Sequence, residues 1–228
     1  VKRLILGGLF SFQTFLSELI RTYPLFLKGA QLTIQITVTA VAIGMVLGII
    51  VALFKLANPV SRRIADFYIT LIRGTPLIAQ IFILYFGFSG IFMLSTFWAV
   101  SLALAIHNSA YIAEIFRGAI QSIDKGQREA GRSLGMTPGL TMRRIIMPQA
   151  MRRAVPPLGN QFIIALKDSS LAAFVSAGEL FRTAQGQVSA TFHTMEIYII
   201  VAIYYLLLVM ILTWIVNKVE YRLSVSER

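Results

Sequence analysis

From Gly29 to Phe54 the chain runs for 26 residues without an ionisable side chain, and that run constrains the fold more than any other feature. About 20 apolar residues carry a helix across the hydrocarbon core of a bilayer. Inside that core backbone N–H and C=O groups have no water to bind, so a spanning segment of this kind must be a helix. A second uncharged run, Ile197 to Asn217, is 21 residues long. Between them lie three interrupted apolar stretches. One follows Arg62 and Arg63 and reaches Gly90, broken by Arg73 and by Gly74, Thr75 and Pro76, residues that end or kink helices. Another begins at Phe97 and passes His107, Asn108 and Glu114 toward Ile123. The last opens at Pro156 and Pro157 and carries Gln161, Lys167 and Asp168 before Gly178. Five crossings are expected, over residues 25–54, 64–90, 97–123, 154–178 and 197–217. A short amphipathic helix over 9–22 is expected to lie in the membrane interface.

Composition supports one membrane domain over residues 1–228, an all-α polytopic protein. Hydrophobic residues make up 57% and charged residues 14%, a balance that would leave a water-soluble fold with large apolar patches. The net charge of +11 does not indicate nucleic acid, because the bases fall in short clusters between apolar runs instead of forming one patch. There is no cysteine, which removes disulfides and thiolate metal sites, and no metal site is expected. No cleavable signal pattern stands at the start, and Val1 implies that at least an initiator methionine has been removed. Sidedness follows from the bases in short loops. Fourteen collect on one face: Lys55, Arg62, Arg63, eight from Arg117 to Arg153, then Lys218, Arg222 and Arg228. Five, namely Lys2, Arg3, Arg21, Lys28 and Arg182, fall on the other. The richer face is expected in the cytoplasm, with the N-terminus outside and the C-terminus inside.

The polar stretch 124–151, DKGQREAGRSLGMTPGLTMRRIIMPQAM, separates the third and fourth crossings. A short helix over Gln127–Leu134 closes at Gly135, and Thr137 with Pro138 supplies an N-cap and first-turn pair for a second helix that Pro148 is expected to stop. On composition alone this is a basic connector resting on anionic lipid. Its spacing is narrower: Glu129, Ala130, Gly131, then Gly135, then Ile145, Ile146 and Pro148. It resembles the EAA loop of ATP-binding-cassette importer permeases, with Gly131 where alanine is usual. The runs IRGTPLIAQ from Ile72, NSAYIAEIFRGAI from Asn108 and NQFIIALKDSSLAA from Asn160 are similar to the polar amino acid branch of the same family.

The resemblance implies about five transmembrane helices with a cytoplasmic coupling helix that docks on a separate ATPase. It also implies two ATPase subunits, a second identical or paralogous permease and an extracytoplasmic solute-binding protein. No cofactor is expected on this chain: ATP and magnesium would belong to the ATPase, and no GxxxxGK[ST] run occurs here. The details SIDKGQ, GMTP and KDSSLAA lean toward permeases for cystine or glutamine.

Polar side chains at membrane depth usually face a cavity or another helix. Asn108 and Tyr111 share one helical face, as do Gln161 and Asp168, with Lys167 beside the latter. With Ser170 and Thr75 they are the candidate substrate-pathway residues, since a zwitterionic amino acid needs both an anionic partner and a donor. The plainer reading is interhelical hydrogen bonding and a Lys167–Asp168 ion pair that hold the spans together. Arg73 could serve a carboxylate but is expected instead to snorkel or to pair with Asp66, and His107 to be packed and hydrogen-bonded. Two rival functions remain open: an intramembrane hydrolase using Ser170 and Lys167, which lacks an oxyanion arrangement, and an ion-coupled transporter or channel, for which internal repeats would be expected.

Overall fold

The computed structural model describes residues 10–88, 90 and 93–224; Lys2, Arg3, Leu9 and Arg228 lie outside them. Among the described residues the fold is wholly helical. Helix α1 covers Phe12–Ala57, α2 Pro59–Arg73, α3 Leu77–Phe82 with a wider turn over Ile83–Gly87, and α4 Thr96–Gln121. The connecting helices are α5, Lys125–Ser133, and α6, Pro138–Thr141. Helix α7 is Met147–Asp168, α8 Leu180–Thr191 and α9 Thr194–Ser224.

Helices α1, α4 and α9 are each long and apolar enough to cross a membrane. The pair α2 and α3 makes a fourth crossing if counted as one span, bent by 98° at the Gly74–Pro76 break. The sequence anticipates that break. The stretch over 154–178 does not meet the same criterion among the described residues. Asn160, Gln161, Lys167 and Asp168 lower its apolar content, and its helix ends at Asp168, followed by a tight 3-10 stretch over Ser169–Val175.

Two further expectations are corrected, and one helix is new. No separate helix forms over 9–22, because α1 continues through Pro24 from a Ser11 cap whose Oγ accepts from the Thr14 N–H at 3.3 Å. Pro148 does not stop a helix: Met142–Ile146 forms a wide π-type turn, the Met147 N–H bonds the Met142 carbonyl, and the proline falls in the first turn of α7. The loosened turn absorbs the donor that Pro148 lacks. Helix α8 goes unanticipated, and the buried Glu179 sets its start, accepting from the N–H groups of Phe181 and Arg182 at 2.7 Å each and from the Tyr205 hydroxyl at 2.8 Å.

The core is the contact of α1 with α4, which run side by side. Gly44 and Gly48 make it close. A methyl group at Gly48 would stand 2.6 Å from Ile112 Cγ2 and 2.9 Å from the Ser109 carbonyl oxygen, and one at Gly44 2.9 Å from the Ala105 carbonyl oxygen. In lipid, where apolar side chains gain little by leaving their solvent, such small-residue contacts let helix backbones approach and pack. The opposite faces remain apolar and exposed, with Val46, Ile50 and Leu53 on α1 and Leu206, Met210 and Ile211 on α9. They suit a lipid surface.

Gly48→Val should lower the thermal midpoint of the detergent-solubilised protein, since overpacking of this kind costs about 1–3 kcal/mol. Gly118→Ala, on a helical surface with nothing within 4 Å, should be neutral or stabilising by up to about 1 kcal/mol. Equal midpoints for the two variants would contradict the packing described.

Candidate functional site

Where the second span breaks, its backbone needs new partners. Pro76 has no N–H to continue the ladder, so carbonyls at the end of α2 are released. Thr75 Oγ1 donates to the Leu71 carbonyl at 2.9 Å, and Gln80 Nε2 donates to the Ile72 carbonyl and to Thr75 Oγ1 at 2.8 Å each. This orientation turns Gln80 Oε1 toward His107 Nδ1, 3.2 Å away. An amide oxygen only accepts, so the network assigns the proton to Nδ1 and leaves Nε2 of a neutral His107 as an acceptor. His107 is thus packed and hydrogen-bonded, as the sequence suggests. Gln80 was not singled out from sequence. The available signal was an amide soon after a proline break in an otherwise apolar run.

Tyr111 belongs to this elbow and not to Asn108. Its ring lies 5.2 Å from the His107 ring and 4.9 Å from the Arg73 guanidinium carbon. The expected Arg73–Asp66 pair is absent. Asp66 instead binds Lys55 at 2.6 Å; Lys55 also binds Glu114 at 2.7 Å, and Glu114 binds Arg117 at 2.7 Å. Alternating charges therefore tie α1, α2 and α4 together. Lys55 is the better partner for Asp66 because it sits between two carboxylates, each of which stabilises its charge.

Asn108 and Gln161 do meet, but they satisfy each other. Gln161 Nε2 donates to Asn108 Oδ1 at 2.7 Å, and Asn108 Nδ2 donates to the Leu104 carbonyl at 2.7 Å, with both residues buried. The plainer reading of this pair, a bond between spans, is the one the geometry supports. At the far end of α7, Lys167 is exposed while Asp168 and Ser170 are half-buried. Among the described residues Lys167 and Asp168 form no ion pair within 4 Å, and Ser170 has no hydrogen bond to Lys167.

The connecting segment is built closely. Asp124 caps α5 through the Gly126 N–H at 2.7 Å. At its end the Met136 N–H reaches the Gly131 carbonyl at 3.1 Å and the Gly135 N–H the Arg132 carbonyl at 2.9 Å, with Gly135 at φ +77°. That is a Schellman closure, which needs a left-handed residue at this position. Thr137 caps α6 through the Leu140 N–H at 3.3 Å. A methyl group on the buried Gly131 would stand 2.8 Å from Thr141 Cγ2 and 3.1 Å from Ile145 Cδ1, so the two helices touch through the glycine. Glu129, Ala130 and Pro148 are exposed. Arg128, Arg132, Pro138, Thr141, Met142 and Ile146 line a groove of about 240 Å³ on this segment.

Residues 44–225 match the family described as "Binding-protein-dependent transport system inner membrane component". The glutamine transport system permease protein of Escherichia coli is 38% identical over 206 residues, covering 89% of this chain and 94% of that protein. The arginine transport system permease protein of Bacillus subtilis is 37% identical over 215 residues, covering 92% and 98%. Among solved structures, an amino acid ABC transporter crystallised with histidines superposes with a TM-score of 0.86 at 40% identity, covering 91% of this chain and 98% of that one. A methionine ABC transporter in an inward-facing conformation superposes with a TM-score of 0.78 at 20% identity, a likeness of fold.

Gln80→Met keeps the volume and removes the amide, leaving the Ile72 carbonyl with only the long contact from Thr75 Oγ1 at 3.4 Å. A stability loss of about 1–3 kcal/mol is expected, measured by thermal unfolding in detergent. An unchanged midpoint would show that the elbow does not depend on Gln80.

Proposed function

The chain belongs to the inner membrane components of binding-protein-dependent transport systems, and we propose that within this family it is the permease subunit of an ATP-driven importer of a polar amino acid. The relatives named for glutamine and arginine transport, and the amino acid transporter that shares the fold, support this reading. In it the chain forms a translocation pathway with a second permease and works with two ATPase subunits and an extracytoplasmic binding protein. ATP and magnesium are bound by the ATPase, and this subunit catalyses no chemistry. With α7 and the Ser169–Val175 stretch as a fifth crossing, the termini lie on opposite sides and the basic connecting segment in the cytoplasm.

One observation carries the coupling role: α5 and α6 form an exposed, internally braced pair. Gly131 holds the helices in contact, Gly135 closes the turn, and Glu129 with the Arg128–Arg132 groove faces outward. A rigid exposed pair between two spans can pass a push from a partner into α4 and α7. An ion-coupled carrier would require neither this pair nor an ATPase.

For the substrate, a neutral polar amino acid is proposed, with glutamine or cystine first. Asp66 and Glu114 are neutralised by Lys55 and Arg117 and Glu18 by Arg21, while Glu179 is held by Tyr205 and two amides and Glu196 accepts from the Ser11 N–H. Asp168 therefore stays the one acidic pathway candidate to receive the substrate ammonium, with no second carboxylate for a cationic side chain. Thr75, Tyr111, Lys167, Asp168 and Ser170 keep their place as pathway candidates, while Asn108 and Gln161 fix the spans that carry them.

Two outcomes are expected in liposomes containing the permease with its ATPase and binding protein. ATP should drive uptake of glutamine or cystine, and specific import of arginine or lysine would overturn the substrate proposal. Gly135→Val strains a left-handed position by about 1–2 kcal/mol, so uptake should fall by about tenfold while ATP hydrolysis persists. Normal uptake by this variant and by Glu129→Trp would count against the docking role.

A further inference from the structure

We propose that Arg73, held over Tyr111 at the break of the second span, receives the α-carboxylate of the transported amino acid. The proposal rests on the reading of the chain as an amino acid permease and deepens it.

Arg73 is the last residue of α2. Its side chain is exposed, and among the described residues no carboxylate lies within ion-pair distance and no acceptor takes a hydrogen bond from its guanidinium. Asp66, two turns back on the same helix and about 10 Å away along its axis, is held by Lys55. Arg62 and Arg63 on the same helix likewise show no ion pair among the described residues, and what distinguishes Arg73 from them is its place at the break, over the Tyr111 ring. An arginine this far along a spanning helix without a counter-ion is costly, and such residues mark ligand paths.

Two features of the elbow reduce that cost without using the donors. The C-terminus of α2 supplies the equivalent of about half a negative charge. The Tyr111 ring, with His107 against it, attracts the cation electrostatically. Neither contact occupies the planar fork of N–H groups that matches a carboxylate. The position is also fixed. Gln80 ties the end of α2 to His107, so the backbone carrying Arg73 and the helix carrying Tyr111 are joined through one amide. Snorkelling to water, the alternative expected from sequence, needs no aromatic platform and no fixed elbow.

The test is equilibrium binding to the permease–ATPase complex in nanodiscs without the solute-binding protein, using labelled L-glutamine and L-cystine and, as competitors, their α-carboxamides. The wild-type complex should reject the α-amides. Arg73→Gln should weaken binding of the amino acid by about thirtyfold or more and bring amide and acid to similar affinity. Arg73→Lys should keep part of the discrimination, because it keeps the charge and loses the fork. Retention of the ATPase by each variant verifies assembly, and Tyr111→Leu, which removes only the platform, gives a second route with a smaller loss in the same direction. Full discrimination by Arg73→Gln or Arg73→Lys-like behaviour in every variant would overturn the proposal. A wild-type complex that, in liposomes with its solute-binding protein, takes up no amino acid with ATP would instead overturn the permease reading itself, and the proposal with it.

Discussion

Backbone polar groups at membrane depth must find partners inside the protein, and the rest of this structure depends on how that requirement is met. Regular helices meet it alone. The second span does not, because Gly74, Thr75 and Pro76 interrupt it. The cost of the break is offset by Gln80 and Thr75, which cover the released carbonyls. Once Gln80 is committed to that role, its oxygen faces His107, which in turn packs against Tyr111 and so places the ring under Arg73. The geometry of this polar corner thus descends from one missing N–H.

The charges follow a similar logic. Lys55 has a side chain only 10% exposed and is tolerated there because two carboxylates flank it. Removing Lys55, the least exposed of the four, leaves Asp66 and Glu114 without the charge between them, a larger loss than the set contributes when intact. Its value is geometric: α1, α2 and α4 are brought into register near the end from which the connecting segment emerges. Arg73 lies outside this arrangement, over the Tyr111 ring at the break.

How far the sequence foretold this depends on the residue. The uncharged run from Gly29 fixed a crossing helix because length and apolarity suffice for that inference. Gly135, Thr137 and Pro138 announced the two short helices because each has a local backbone preference that tertiary contacts do not override. Pro148 misled, since a proline ends a helix only where the preceding turn cannot loosen, and the Met142–Ile146 turn does loosen. The α8 helix was hidden because its start rests on a buried glutamate whose partners include Tyr205, far along the chain. Partner choice was the least legible feature. Asp66 pairs with Lys55 and not with Arg73, and Asn108 turns to Gln161, because spacing along one helix says nothing about which neighbour lies opposite.

In the proposed account, force from a nucleotide-hydrolysing partner enters through α5 and α6. The chain has no cysteine, so a single one introduced at the exposed Arg132 can be followed with a membrane-impermeant maleimide in sealed vesicles of both orientations. Labelling only in inside-out vesicles, and protection when the ATPase subunit is restored, is the predicted result. Labelling from the outer face, or labelling that the ATPase leaves unchanged, would contradict it.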